Sequence, residues 1–149
     1  MSDIRDLVNG LTDKNDENAY KCRQKLQLLS EQNNEVYKYF DEFADMLDND
    51  KSYIRTRGFI LISANARWDI DCRIDEIIDK YLKRINDIKP ITARQCIQAL
   101  PNLAKHKPEL KEDIIKALNK VDVSIYADSM QSVVYKDVRD SLKLIASET

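Results

Sequence analysis

The sequence predicts an all-α fold, four helix pairs stacked in a single domain over residues 1–149. Three observations carry that prediction. Gly occurs twice and Pro three times, too few turn-formers for a sheet of many short strands, which needs a turn about every 8–12 residues. Apolar residues recur at helical spacing along the whole chain. Two stretches also repeat without gaps, 34 residues apart: Asn15-Asp16-Glu17-Asn18-Ala19-Tyr20-Lys21-Cys22-Arg23 and Asn49-Asp50-Lys51-Ser52-Tyr53-Ile54-Arg55-Thr56-Arg57. A period of that size marks stacked supersecondary units.

Each pair joins a short helix to a longer one. The first reads as 3–11, striped by Ile4, Leu7, Val8 and Leu11, with 15–32. The second is 35–47, striped by Val36, Phe40, Phe43 and Leu47, with 51–67. The third is 72–86, with Ile74, Ile77, Ile78, Tyr81, Leu82 and Ile85, followed by 91–106. The fourth is 109–120, with Leu110, Ile114, Ala117, Leu118 and Val121, followed by 125–146. All four stripes keep the i, i+3, i+4, i+7 spacing of a helix with one buried face. Asp50 or Ser52 is placed to cap the second long helix, because either oxygen accepts an orphan amide. Pro90 and Pro108 fall in first turns, where a missing N–H costs nothing. Pro101 falls inside the third long helix, where it deletes a ladder bond and is expected to kink or break the helix. Gly58 lies inside the second long helix at a cost of about 1 kcal/mol against Ala. A close approach of a neighbouring helix would justify it.

The segment Leu47-Asp48-Asn49-Asp50-Lys51-Ser52-Tyr53-Ile54-Arg55-Thr56-Arg57-Gly58 resembles the centre of a HEAT repeat. That pattern is an apolar first helix, an Asp-rich turn, an apolar residue followed by Arg, and a small residue opening the second helix. Lys21 stands for the Arg in the first pair, Arg94 follows Pro90-Ile91-Thr92-Ala93 in the third, and the fourth lacks the base, as suits an end cap. The resemblance to HEAT-repeat, ARM-type superhelical proteins, small bacterial ones among them, implies a short right-handed α–α superhelix. It further implies that the second helix of each pair lines a concave face.

Placing the long helices on that face divides the charges. The stretch 35–50 holds Glu35, Asp41, Glu42, Asp45, Asp48 and Asp50 against Lys38 alone. The stretch 51–67 holds Lys51, Arg55, Arg57 and Arg67, and 89–107 holds Lys89, Arg94, Lys105 and Lys107, both without an acid. Overall charge is only −2, so there is no global case for nucleic acid or anionic membrane. A near-neutral chain with acid-free inner helices nonetheless presents a positive groove. The candidate partner-binding residues are Arg55, Arg57, Asn65, Trp68, Arg94, Gln98 and Asn102. Arg55 has an equally plain structural use, bonding across the turn to Asp50 or to the next pair. Trp68 either anchors a ligand or plugs an inter-helix end, and Tyr53 divides the same way.

No catalytic set is expected. The chain has no Gly-rich phosphate loop, no HExxH and no nucleophile elbow. His106 has no Ser or Cys at local spacing and reads as solvated. Cys22 and Cys96 fall on apolar faces, and Cys72 near a helix start. Three widely spaced cysteines are neither a disulfide framework nor a zinc-ligand pattern. No cofactor or metal is expected. Met1-Ser2-Asp3-Ile4-Arg5-Asp6 lacks the regions of a signal peptide, and the longest apolar run, Phe59-Ile60-Leu61-Ile62, is far short of a membrane span. A cytoplasmic, non-enzymatic interaction module that takes an acidic protein or peptide is therefore the expectation. The alternative is a nucleic-acid-binding HEAT-like protein related to the alkylpurine DNA glycosylases, with Arg55, Arg57, Arg94 and Trp68 on a duplex.

Overall fold

A computed structural model describes residues 3–147, and every element in it is helical, with no strand among the described residues. Met1, Ser2, Glu148 and Thr149, which belong to the expected 1–149 domain, lie outside them. The helices are α1 (Ile4–Gly10), α2 (Asp16–Gln32), α3 (Phe40–Met46), α4 (Ser52–Ala64), α5 (Arg73–Glu76), α6 (Ile78–Leu82), α7 (Pro90–His106), α8 (Lys111–Asn119) and α9 (Asp128–Ser147). Single 3-10 turns lead into α3 and α8, precede α9, follow α4 and fill 83–86.

Short segments pack against the long helices that follow them: α1 on α2, α3 on α4, the 83–86 turn after α6 on α7, and α8 on α9. The long helices also pack in chain order, α2 on α4, α4 on α7 and α7 on α9. One apolar cluster runs unbroken from Leu7 to Ile145. Its centre is the α3–α4–α7 junction, where Phe43, Phe59, Tyr81, Ile97 and Leu100 are fully buried. Phe59 and Tyr81 stack with centroids 3.8 Å apart.

Ahead of each long helix, a carboxylate or amide oxygen accepts the amide two residues on: Asp13 from Asn15, Asn49 from Lys51, Asp87 from Lys89 and Asp122 from Ser124. This turn chemistry is what Asn and Asp supply, and it recurs at nearly the period of the sequence repeat. The expected cap of α4 is different in kind. Its N-cap position is Lys51, with no side-chain cap, so neither Asp50 nor Ser52 serves there.

Two further expectations are corrected. The 72–86 helix is not continuous. It opens at Cys72 with φ 57°, breaks at Ile77 and finishes as a 3-10 turn. Conversely, Pro101 does not break α7, which continues to His106. Proline has no N–H for the carbonyl four residues back, so the Ile97 oxygen is orphaned. The Ser141 hydroxyl of α9 donates to it at 2.8 Å. The neighbouring helix repairs the ladder that the proline interrupts.

At Gly58 two helices approach closely. A Cβ there would lie 2.7 Å from Met46 Cβ and 2.7 Å from the Phe43 carbonyl oxygen. The expected close approach is that of α3.

Candidate functional site

A groove runs along α4, with α4 as its floor and α2 and α7 as its walls. Two clefts share it. The first, of about 430 Å³, is lined by Tyr20 and Arg23 of α2, by Ser52, Tyr53, Thr56 and Arg57 of α4, and by residues 89–92 and 95 at the start of α7. The second, of about 200 Å³, lies toward the far end of the same helices, among Gln27, Glu31, Ile60, Ser63, Arg67 and Asn102. From Tyr53 to the end of α4 at Ala64 the floor is about 17 Å long at 1.5 Å per residue.

The first cleft carries three cations, Arg23, Arg57 and Lys89, and no acid among its lining residues. Arg57 is buried. Its Nη1 donates to the Leu11 carbonyl at 2.8 Å, and its Nη2 is 3.7 Å from Asp16, an exposed carboxylate outside the cleft. Its guanidinium lies 5.1 Å from the centre of the Tyr53 ring, and that of Arg23 lies 5.0 Å from the Tyr20 ring. These cation–π contacts hold both charges against the aromatic walls. Half-burial lowers the Arg23 pKa below its ordinary value; Tyr20 works against that shift and Arg57 adds to it. Tyr53, Tyr20 and Ile91 are exposed at the rim.

Two helices begin at this cleft. The N-cap residues are Lys51 for α4 and Lys89 for α7, and neither has a side-chain acceptor. No acid occupies either first turn. By contrast α1 and α2 are capped by Asp3 and Asn15. The positive ends of α4 and α7 therefore add to the side-chain charge at the cleft.

The predicted residues are not gathered into one site. Arg57 lines the first cleft and Asn102 the second. Arg55 is buried and committed elsewhere. Its Nε and Nη2 form a bidentate pair with Asp87 at 2.7 and 2.8 Å, and its Nη1 donates to the Asn49 and Asp50 carbonyls. It staples one inter-helix turn to the next and offers nothing to a groove ligand. Arg94 is half-buried and pairs with Asp137 of α9 at 2.6 Å. Gln98 is exposed and lines neither cleft. Asn65 is buried, donating to the Ser30 hydroxyl and the Leu61 carbonyl. The Trp68 indole donates to the Ser30 carbonyl at 2.7 Å, which closes the last turn of α2. The four residues offered to a duplex thus form no common basic strip.

Lys107, expected among the inner basic residues, does not serve the groove: its ammonium is buried between Asp69, Asp75 and Glu109 at 2.9, 2.8 and 3.0 Å. Burial works to lower its pKa, but these hydrogen bonds prevail and raise it. Tyr37 also donates to Asp69, at 2.6 Å. Cys72, Asp75 and Glu109 bring ligand-type atoms within 4.8 Å of one another, a juxtaposition the sequence does not show. The Lys107 ammonium already lies against both of those carboxylates.

Three of the six acids of the outer stretch pair with bases of neighbouring short helices: Glu42 with Arg5, Asp41 with Arg73, and Asp48 with Lys80. Cys22 and Cys96 are buried and Cys72 is exposed, all as free thiols. His106 is half-buried at the end of α7.

Tyr20 and Arg23 were missed as site residues. The signal was available, because Arg23 is the counterpart of Arg57 in the 34-residue repeat. Lys89, one of the bases of the inner stretch 89–107, and Ile91 join them only through the fold, which brings the start of α7 beside that of α4. No protein-family model, curated protein or solved structure matches this chain. No helix among the described residues is long and apolar enough to cross a membrane.

Proposed function

We propose that this chain is a non-enzymatic interaction module, a short HEAT-like array whose groove along α4 takes an acidic segment of a protein partner. The observation that carries this reading is the first cleft, with three cations, two uncapped helix starts and no lining acid. Low-dielectric walls concentrate such a field and favour anionic ligands. Packing of the long helices in chain order supports the array. A floor of about 17 Å accommodates about five residues of extended peptide. The residues assigned to binding are Arg23, Tyr53, Arg57 and Lys89, with Asn102 and Arg67 at the far end.

The test is fluorescence anisotropy of labelled seven-residue Glu-rich and Lys-rich peptides against the full chain at low salt. The Glu-rich peptide should bind, more weakly as salt rises. The Lys-rich peptide should not. Lys89→Glu combined with Arg23→Glu should abolish binding while the far-ultraviolet circular dichroism stays unchanged. Persistent binding by that folded variant would sink the groove assignment. A DNA duplex that binds with steep salt dependence, while the Glu-rich peptide does not, would favour the nucleic-acid reading instead.

A further inference from the structure

We propose that the first cleft is a phosphomonoester site, taking a phosphate dianion carried on an aromatic stem. This rests on the groove reading above and names the chemistry at its head. The cleft, at about 430 Å³, is in the size range of small-ligand sites. It is too small to engulf a peptide and large enough for one bulky side chain.

Three features select the ligand. The first is charge. Arg23, Arg57 and Lys89 face no lining carboxylate. A carboxylate supplies one negative charge, whereas a phosphomonoester supplies about 1.5–2 at neutral pH. The second is donor supply. Arg57 is more than nine-tenths buried, and only its Nη1 is engaged in a hydrogen bond. The amides of Ser52, Tyr53, Ile91 and Thr92 lie in the first turns of α4 and α7, where no intrahelical acceptor exists. All four of those residues line the cleft. Phosphate uses more such donors than a carboxylate, because it presents three oxygens with a geometry that guanidinium groups match. The third is the wall. Tyr20, Tyr53, Pro90 and Ile91 give the cleft an apolar and aromatic lining, which suits a ring between the phosphate and the bulk of the ligand. The same chemistry is offered by a phosphotyrosine side chain in a protein segment and by a small free aryl phosphate.

The experiment is isothermal titration of the full chain with four probes. These are a seven-residue acidic peptide with a central phosphotyrosine, its unphosphorylated form, its Glu-substituted form, and phenyl phosphate. The phosphotyrosine peptide should bind at least about tenfold more tightly than the Glu form, the effect of one further charge-assisted hydrogen bond. Phenyl phosphate binding as tightly as the phosphopeptide would support the site and assign it to small ligands. Lys89→Ala and Tyr53→Ala, both at exposed positions, should each reduce the phosphate preference without unfolding the chain. Arg57→Lys, which keeps the charge but loses the fork, should do so more strongly. Equal affinity for the phosphotyrosine and Glu peptides overturns the phosphate site and leaves the acidic-segment reading standing. No binding of any probe overturns both.

Discussion

Gly58→Ala sets two opposite effects against each other, and the structure decides which wins. In an open helix the change stabilises by about 1 kcal/mol. Here the new methyl would meet Met46 Cβ and the Phe43 carbonyl oxygen, both at 2.7 Å. Neither is the far end of a flexible side chain. Ordinary contact begins near 3.4 Å, so α3 and α4 would have to part by roughly 0.7 Å. α3 is not free to move. Phe40 and Phe43 are buried beneath it, and Glu42 is tied to Arg5 at 2.6 Å. Overpacking of this kind costs about 1–3 kcal/mol. With two unyielding contacts at 2.7 Å at once, one of them backbone, the upper half of that range applies, so the clash outweighs propensity by about 1–2 kcal/mol. At this chain length that is a fall of roughly 2–8 °C in Tm. Urea unfolding followed by circular dichroism measures it, with the denaturant slope as a check that the unfolded state is unchanged. A variant with a midpoint at or above the parent's would refute the close-approach argument.

Three other outcomes follow from named contacts. Ser141→Ala leaves the Ile97 carbonyl without a donor and should cost about 1–3 kcal/mol; in a Pro101→Ala background the restored N–H should shrink that cost, and a double-mutant cycle without coupling would disprove the repair. Arg55→Leu removes the bidentate partner of the buried Asp87 carboxylate and leaves it only Arg84, at 3.1 Å, and the Lys89 amide, so it should cost about 1.5–3 kcal/mol, measured by the same unfolding; a loss no larger than that of an exposed substitution such as Lys38→Leu would contradict the staple. Acid should destabilise the fold. Burial pushes Asp69 and Asp87 up, but hydrogen bonds from Tyr37 and Lys107 to Asp69, and from Arg55 to Asp87, hold both below the ordinary carboxylate range. The unfolded chain then takes up these protons first, at about pH 3.9. Their contribution is full above that value and is lost as pH falls through the lower folded values. Equal urea midpoints at pH 7 and pH 3 would rule it out.

The long helices were legible because two signals coincide in them. Their apolar residues keep one period, and Asn, Asp or Pro marks each start. The short segments were less legible. The stripe from Ile74 to Ile85 fits one helix, yet Cys72 and Ile77 take conformations that tertiary packing imposes. Charge along the chain misled more than periodicity did. Arg94 and Lys107 share one acid-free stretch, but Arg94 lies within α7 and Lys107 just past its end, and each helical residue turns about 100° from the last. Side chains of one sign in sequence therefore face different neighbours, here Asp69 and Asp137. Asp87, 32 residues beyond Arg55, could not be paired with it from sequence alone.

The side-chain bonds that join one helix pair to the next span 32 to 46 residues, from Arg55–Asp87 to Arg57–Leu11. On the proposed array reading, such a chain is close to a one-dimensional object. Pulled from its two ends, it should yield in steps, each releasing about one hairpin of contour length. The pair α8–α9 contributes no residue to the groove, so tension could peel it away and leave the cleft assembled. The three pairs that build the cleft would have to part before a ligand lost its walls, and a bound segment would appear as added force at those later steps.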